Sequence, residues 1–308
     1  LYIIIIIYSI MSDFNKNQLF MEPKTKQYGS HMVMTNVQKN SKTKYINIDT
    51  QFRDEYNYLK TSNYNITLPE RVNEIKDLKV TNIEIPLTYF IISENLGNNY
   101  FKITVSGTES VITIADGNYT SSSLQTAINT ALSGKNLSCT LTQNSFSSFV
   151  TSSGTVKIQF DVDKYGYSDK YNFKSKLGWL LGFRNTTYDL TTNDTTSEGF
   201  LNLNGPNYLY LAVDEFNKSS NQNSFSSPLF SSMVNKNILA RIVIDHKNYT
   251  FGDVLVASID NGYLLSDTRN YTGKIDLQKL NIQLLNETGI PMNLNSLDFS
   301  FCLEVTHE

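Results

Sequence analysis

The stretch KIDLQKLNIQLL, Lys274–Leu285, sets Ile275, Leu277, Leu280, Ile282 and Leu284 among polar neighbours. This spacing suits a half-buried β-strand, whose successive side chains point to opposite faces, and not a helix with its 3.6-residue stripe. Segments of the same kind recur from about residue 44 onward: KYINID (Lys44–Asp49), YNITLP (Tyr64–Pro69), DLKVTNIEIPL (Asp77–Leu87), YLYLAVDEF (Tyr208–Phe216), ILARIVIDH (Ile238–His246) and LDFSFCLEV (Leu297–Val305). Further examples lie between the third and fourth of these, in YFKITVS (Tyr100–Ser106), SVITIA (Ser110–Ala115), LSCTLTQ (Leu137–Gln143) and VKIQFDV (Val156–Val162). β-Branched and aromatic residues fill the apolar positions, as a pleated surface prefers. So many alternating strands with so few helical stretches predict a mainly β, antiparallel sandwich or barrel rather than a parallel α/β sheet.

One helix interrupts the pattern. In DGNYTSSSLQTAINTALSG, Leu124, Ala127, Ile128, Ala131 and Leu132 repeat at helical spacing, with serines as candidate N-caps and Gly134 as a C-terminal stop. Together with the strands on either side it predicts a small α+β unit over residues 97–204, inserted into a sandwich built from 44–96 and 205–308. Two separate domains split near residue 205 are the alternative. The Ser-, Thr- and Asn-rich stretches Asn144–Thr155, Asn185–Gly199 and Asn217–Ser232 read as loops.

The opening LYIIIIIYSI is too short for a bilayer span of about 20 residues and lacks the basic flank of a signal peptide. It reads as translated sequence upstream of a true start at Met11. Residues 11–43 are polar and carry Lys24, Lys26, Lys39 and Lys42 without a sustained period, which predicts an arm. The arm is either a solvated tail or a strap that orders against a neighbour, with those lysines as candidate contacts.

Composition narrows the function. A net charge of −3 and a pI near 5.7 give no basic footprint, so no nucleic-acid partner is expected. Two cysteines in 308 residues are too few for a disulfide framework, and three histidines show no metal-ligand spacing. There is no nucleophile elbow, phosphate-cradling loop or dinucleotide fingerprint, so neither a cofactor nor an enzyme activity is expected. Asp214, Glu215 and Asp245 are the acids a hydrolase would have to use. Asn-x-Ser/Thr sites are frequent, among them Asn118 and Asn286, as chance dictates in so Asn-rich a chain.

KLGWLLGFRN, Lys176–Asn185, holds the only tryptophan in a short apolar run between glycines. Trp179, Leu180 and Phe183 are candidate packing or interface residues. The expectation is a single helical turn whose Trp179 plugs the core between insertion and sandwich, with Gly178 and Gly182 allowing close approach. A partner-binding knob is the competing reading.

The order of these segments matters more than any one of them. YINIDTQFRDEY (Tyr45–Tyr56), VTNIEIPLTYFIISENLGNNYFKI (Val80–Ile103), IADGNYTSSSLQTAIN (Ile114–Asn129), KLGWLLGFR and the closing YTGKIDLQKLNIQLLNETGIPMNLNSLDFSFCLEV (Tyr271–Val305) resemble, in that succession, minor capsid proteins of the nucleocytoplasmic large DNA viruses. The resemblance implies a jelly-roll sandwich, with strands near 44–49, 64–69, 77–87, 208–216, 238–246, 274–285 and 297–305 and an eighth from DVLVASID (Asp253–Asp260). It further implies a non-enzymatic shell component in the virion capsid, assembled in the host cytoplasm. Its partners would be the major capsid protein, other minor capsid proteins and possible further copies of itself; a vertex (penton) position and contact with an internal membrane stay open. A carbohydrate- or receptor-binding β-sandwich is the alternative from a different class.

Overall fold

The computed structural model describes residues 40–57, 60–191, 194–216, 221–222 and 237–308. The expected start at Met11, most of the arm, and with them Lys24, Lys26 and Lys39 lie outside the described residues.

The chain enters as β1 (Lys42–Asp49) and β2 (Asn63–Pro86), then runs through the insertion. It returns as β10 (Tyr208–Asp214), β11 (Asn221–Gln222), β12 (Ile238–Val243), β13 (Val254–Ser258), β14 (Leu264–Ser266), β15 (Arg269–Leu285) and β16 (Ser300–His307). β1 begins at Lys42, opposite His307, so Lys42 belongs to an exposed strand end and not to the arm.

β2 decides the architecture. Two expected strands, 64–69 and 77–87, are one continuous strand that passes from one sheet into the other. Its first half pairs with β15, Asn63 opposite Gln283; its second half pairs with β16 on one side and β13 on the other, Glu84 facing both Ser300 and Val256. Between the halves the strand bulges, with Thr67 opposite Lys279 and Val72 opposite Leu277. Pro69 sits in that bulge, on a stretch with no second neighbour, where its missing N–H costs no ladder bond.

The result is two facing sheets, β1–β16–β2–β13 and β2–β15–β10–β12, every neighbour antiparallel, with β14 added beside β12. With the halves of β2 taken as successive strands, the order is one, eight, three, six against two, seven, four, five. That interlocking is a jelly roll. Inward residues of both sheets, among them Ile48, Leu78, Ile83 and Phe301 against Ile66, Leu211, Ile242 and Ile282, form one core. At the open edge of β13, Asn261 donates to the Val256 carbonyl (2.9 Å) and accepts from the Ser258 amide (2.9 Å), occupying groups that would otherwise template another strand.

The insertion comprises β3 (Tyr100–Val105), β4 (Thr108–Thr113), α1 (Ser121–Ala131), β5 (Leu137–Thr140), β6 (Phe146–Thr151), β7 (Val156–Gln159), α2 (Leu177–Leu180), β8 (Thr187–Leu190) and β9 (Thr195–Phe200). Its sheets run β4–β3–β7–β8 and β5–β6–β9. Two stretches expected as loops, 144–155 and 185–199, therefore supply strands β6, β8 and β9. The N-cap of α1 is Thr120, not a serine; its hydroxyl accepts from the Ser123 amide while the Ser123 hydroxyl accepts from the Thr120 amide. Leu124, Ile128 and Leu132 pack with Phe101, Phe149 and Phe160 in a second core. Leu87 and Tyr89 belong to the sandwich core and Ile92 to the insertion core, so the first crossing falls near residue 90 rather than 97.

Candidate functional site

α2 is the single turn expected of KLGWLLGFRN, but the residue that plugs the core is different. Leu177 and Leu181, one turn apart, share the inward face, and Phe183 follows them; all three are fully buried. Phe183 stacks on Phe160 with centroids 5.1 Å apart and meets Tyr188 edge-on at 5.0 Å. Gly178 lies so close to Phe160 that a Cβ there would fall 2.3 Å from its Cγ. Gly182, at φ +96°, would place one 2.1 Å from the Gly199 carbonyl oxygen. Trp179, two residues beyond Leu177, is turned to the opposite side of the helix and is only half-buried. The core-plug reading of Trp179 is thus corrected: its neighbours plug the core and it faces outward.

What surrounds Trp179 is ordered. The Arg184 guanidinium lies 4.0 Å over the ring, Phe173 meets it edge-on at 5.7 Å, and the Lys174 ammonium stands 5.8 Å from its centroid. Arg184 Nη1 donates to the carbonyls of Trp179 (3.0 Å) and Phe183 (3.2 Å), and Gly199 leaves the room its Nη2 needs. Glu198 fixes the turn behind it, accepting from the Tyr188 hydroxyl (2.7 Å), the Arg184 amide (2.9 Å) and Asn185 Nδ2 (2.8 Å). Partial burial opposes ionisation of Glu198, but these donors outweigh it and hold the carboxyl below its ordinary range.

Trp179 and Leu180 line a cleft of about 210 Å³ between insertion and sandwich. Its walls include Phe90, Ile91 and Leu96 from the first crossing segment, Gly205 and Pro206 from the second, and Ile290 and Met292 from the sandwich. The crossings are held by side chains: Asn118 accepts from the Ile91 amide (2.7 Å) and donates to the Tyr89 carbonyl (3.2 Å), and Glu287 accepts from the Asn207 amide (2.6 Å). Burial, and secondarily the Glu287 charge, push the Tyr89 hydroxyl up, so it stays protonated.

The structure brings Trp179 and Leu180 to this cleft and leaves Phe183 behind it in the core. Lys42 lies elsewhere, at the outset of β1. Sequence reading missed Arg184, although a cation five residues after the only tryptophan in a turn-rich stretch was a signal; Glu198, Tyr89 and Asn118 offered none.

The acids a hydrolase would need are not gathered. Asp214 ends β10 and caps the Phe216 amide (2.9 Å). Asp245 follows β12 at the opposite end of the same strand pair, roughly 25 Å away by strand rise. There it accepts from the Lys247 amide, Tyr263 hydroxyl and Asn248, which hold its carboxyl below the usual range. Glu215 is buried against Arg269 at 2.9 Å, and Arg269 also donates to the carbonyls of Val213 and Asn237. His246 Nε2 lies 3.0 Å from the Pro206 carbonyl, and among the described residues no group of three or more His, Cys, Asp or Glu is placed to hold a metal ion. Cys139 and Cys302 are free thiols, the first in the insertion core, where burial pushes it up to about 12. No helix among the described residues is long and apolar enough to cross a membrane.

Fold and site define a jelly-roll protein that carries an inserted α+β unit and, between the two, a cleft of apolar and polar side chains with Lys174 and Glu287 as its charged members. No family model matches the chain, and no curated protein matches it. Among solved structures it is similar to the crystal structure of a selenomethionine-labelled mavirus penton protein, at 9% identity and a TM-score of 0.41, covering 87% of this chain and 99% of that one. A likeness this distant carries no argument, and the fold rests on the strand pairing itself.

Proposed function

We propose that the chain is a non-enzymatic structural component of a large icosahedral DNA virus shell, a minor capsid protein that joins or positions capsomers of the major capsid protein. The observation that carries this reading is the jelly-roll strand order, found in a chain whose motif succession resembles that protein class. Several features suit the role. The closed sandwich has a guarded β13 edge, its hydrolase candidates are spent on folding contacts, and its half-exposed Trp179 cleft offers area and fit rather than reactive groups. Other minor capsid proteins and further copies of the chain are the remaining partners, with assembly in the host cytoplasm; a vertex position is the alternative placement.

The test is co-sedimentation of the purified full chain with major capsid capsomers. Saturable association is expected; no association with capsomers, alone or assembled, overturns the reading. A second reading, glycan or receptor binding, is favoured by Tyr165, Tyr167 and Tyr171, which are 71%, 72% and 84% exposed in the turn and 3-10 helix between β7 and α2. A glycan array on which the chain binds and three-fold alanine replacement abolishes binding would favour it.

A further inference from the structure

Two asparagines in the chain directly precede glycine, Asn204 before Gly205 and Asn261 before Gly262. An asparagine so placed reacts with its own backbone, because glycine carries no side chain to obstruct the approach of its nitrogen to the neighbouring carboxamide. Both asparagines are exposed and lie outside the strands, and the two glycines share nearly the same backbone, with φ +81° at Gly205 and +78° at Gly262. Exposure and glycine geometry therefore do not tell the pairs apart; their hydrogen bonds do.

At Asn261–Gly262 both reacting groups are occupied. Asn261 Oδ1 accepts from the amides of Ser258 (2.9 Å) and Tyr263 (3.1 Å), its Nδ2 donates to the Val256 carbonyl (2.9 Å), and the Gly262 amide donates to the Ile259 carbonyl (3.2 Å). Asp116–Gly117 is closed in the same way: Asp116 accepts from the Glu94 amide (2.9 Å) and Asn99 Nδ2 (3.0 Å), while the Gly117 amide donates to the Ile92 carbonyl (2.9 Å). At Asn204–Gly205 only the Asn204 amide is engaged, donating to Asn202 Oδ1 at 3.1 Å. Neither the Asn204 carboxamide nor the Gly205 amide has a hydrogen-bond partner among the described residues.

We infer that Asn204 is a site of spontaneous deamidation and main-chain isomerisation. The Gly205 nitrogen attacks Asn204 Cγ. The new N–Cγ bond forms as the Cγ–Nδ2 bond breaks, and the carboxamide nitrogen leaves as ammonia with the proton given up by the Gly205 amide. Water then opens the cyclic imide. Cleavage at Cγ leaves an aspartate in an ordinary backbone; cleavage at the main-chain carbonyl leaves an isoaspartate, whose chain runs on through Cβ and Cγ and is longer by one carbon. No electrons are exchanged, and solvent water is the co-reactant. Residue 204 lies on the second crossing, between Leu203 in the insertion core and Leu209 in the sandwich core. The residues after it anchor that crossing: a Cβ on Gly205 would fall 3.1 Å from Ile91 Cγ1, the Pro206 carbonyl lies 3.0 Å from His246 Nε2, and the Asn207 amide donates to Glu287. An extra main-chain carbon just before these anchors displaces them, whereas aspartate adds only negative charge to a chain already at −3. The reaction needs this junction alone and holds whether or not the chain is a shell component.

The test is incubation of the purified, folded full chain in mildly alkaline buffer, where the amide nitrogen loses its proton more readily. Peptide mass mapping then reads conversion of amide to acid, and methyl labelling by a protein isoaspartyl methyltransferase reads isoaspartate. Conversion at Asn204 is expected about tenfold faster than at Asn261, a difference of about 1.4 kcal/mol in barrier and the scale of the hydrogen bonds that Asn261–Gly262 must first give up. Unfolding in urea removes those bonds and should bring the two rates together. Asn204→Gln, whose longer side chain closes a larger ring more slowly, should lose both signals at that peptide with the melting temperature unchanged. Trp179, the only tryptophan, lines the same cleft as Gly205 and Pro206, so its emission should shift as isoaspartate accumulates and stay unshifted in freshly prepared Asn204→Asp. No conversion at Asn204 in the folded chain, equal conversion at the two asparagines, or faster conversion at Asn261 overturns the assignment. An unshifted emission in an isoaspartate-rich sample overturns the effect on the junction.

Discussion

At the scale of single residues, burial direction separates side chains that sequence treats alike. Trp179 and Phe183 occupy the same apolar run, yet Phe183 is fully buried among Phe149, Phe160 and Tyr188 while Trp179 is half-buried between Arg184 and Phe173. Phe183→Ala should therefore cost 3–5 kcal/mol on the scale of core aromatic deletions, and Trp179→Ala about 1 kcal/mol, as read from urea unfolding midpoints. Equal losses would contradict the placement. Glu215 makes the complementary case. Its removal as Glu215→Ala strands a buried guanidinium and should cost about 3–5 kcal/mol, whereas Asp245→Ala, at a half-buried carboxylate without an ion-pair partner among the described residues, should cost less. The apolar run at 176–185 was legible because its composition is unusual. Which member faces outward was not, since that depends on a single turn of helix fixing Leu177 and Leu181 inward.

At the scale of elements, the strands of the sandwich were legible wherever one face is buried, because burial enforces alternation. Even the joint in β15 is written in the chain: apolar positions step by two to Leu277 and resume at Leu280, and the pairing with β2 shifts register there. β6 and β9 were hidden because Ser147 and Ser197 occupy their inward positions, with the Ser147 amide donating to the Ser197 hydroxyl, so buried strand looks like polar loop. The place where the middle of β2 and of β15 meets the end of β16 yields a pH prediction. Glu308 bonds Lys274 and Lys76, and these hold its carboxyl down to about 2 from an ordinary 4.5; Asp276, bonded by the Glu74 amide and Arg71, is also lowered. A folded-state value below the unfolded one adds stability that is fully present above about 4.5 and lost as the pH falls toward 2. The melting temperature should decline through that window, less steeply in Glu308→Gln; an identical slope in the variant would remove Glu308 from the account.

At the scale of the whole molecule, two cores joined by two crossing segments explain both the insertion and the cleft beside it. One core draws on residues 46–89 and 209–305 and the other on residues 92–203. The first crossing came out near residue 90 instead of 97 because Ile92 changes core within a stretch whose composition does not change. With the insertion removed between residues 91 and 204 and a short flexible linker substituted, the sandwich should still fold cooperatively, since β2 and β10 each keep β15 as neighbour. Loss of cooperative unfolding would mean that the two cores stabilise each other. The central claim, a shell component, is tested most directly by a density map of purified virus particles that contain the chain. The account predicts jelly-roll density with its α+β insertion seated against capsomers. Particles complete and intact without the chain, or density that leaves it unattached to any capsomer, would contradict it.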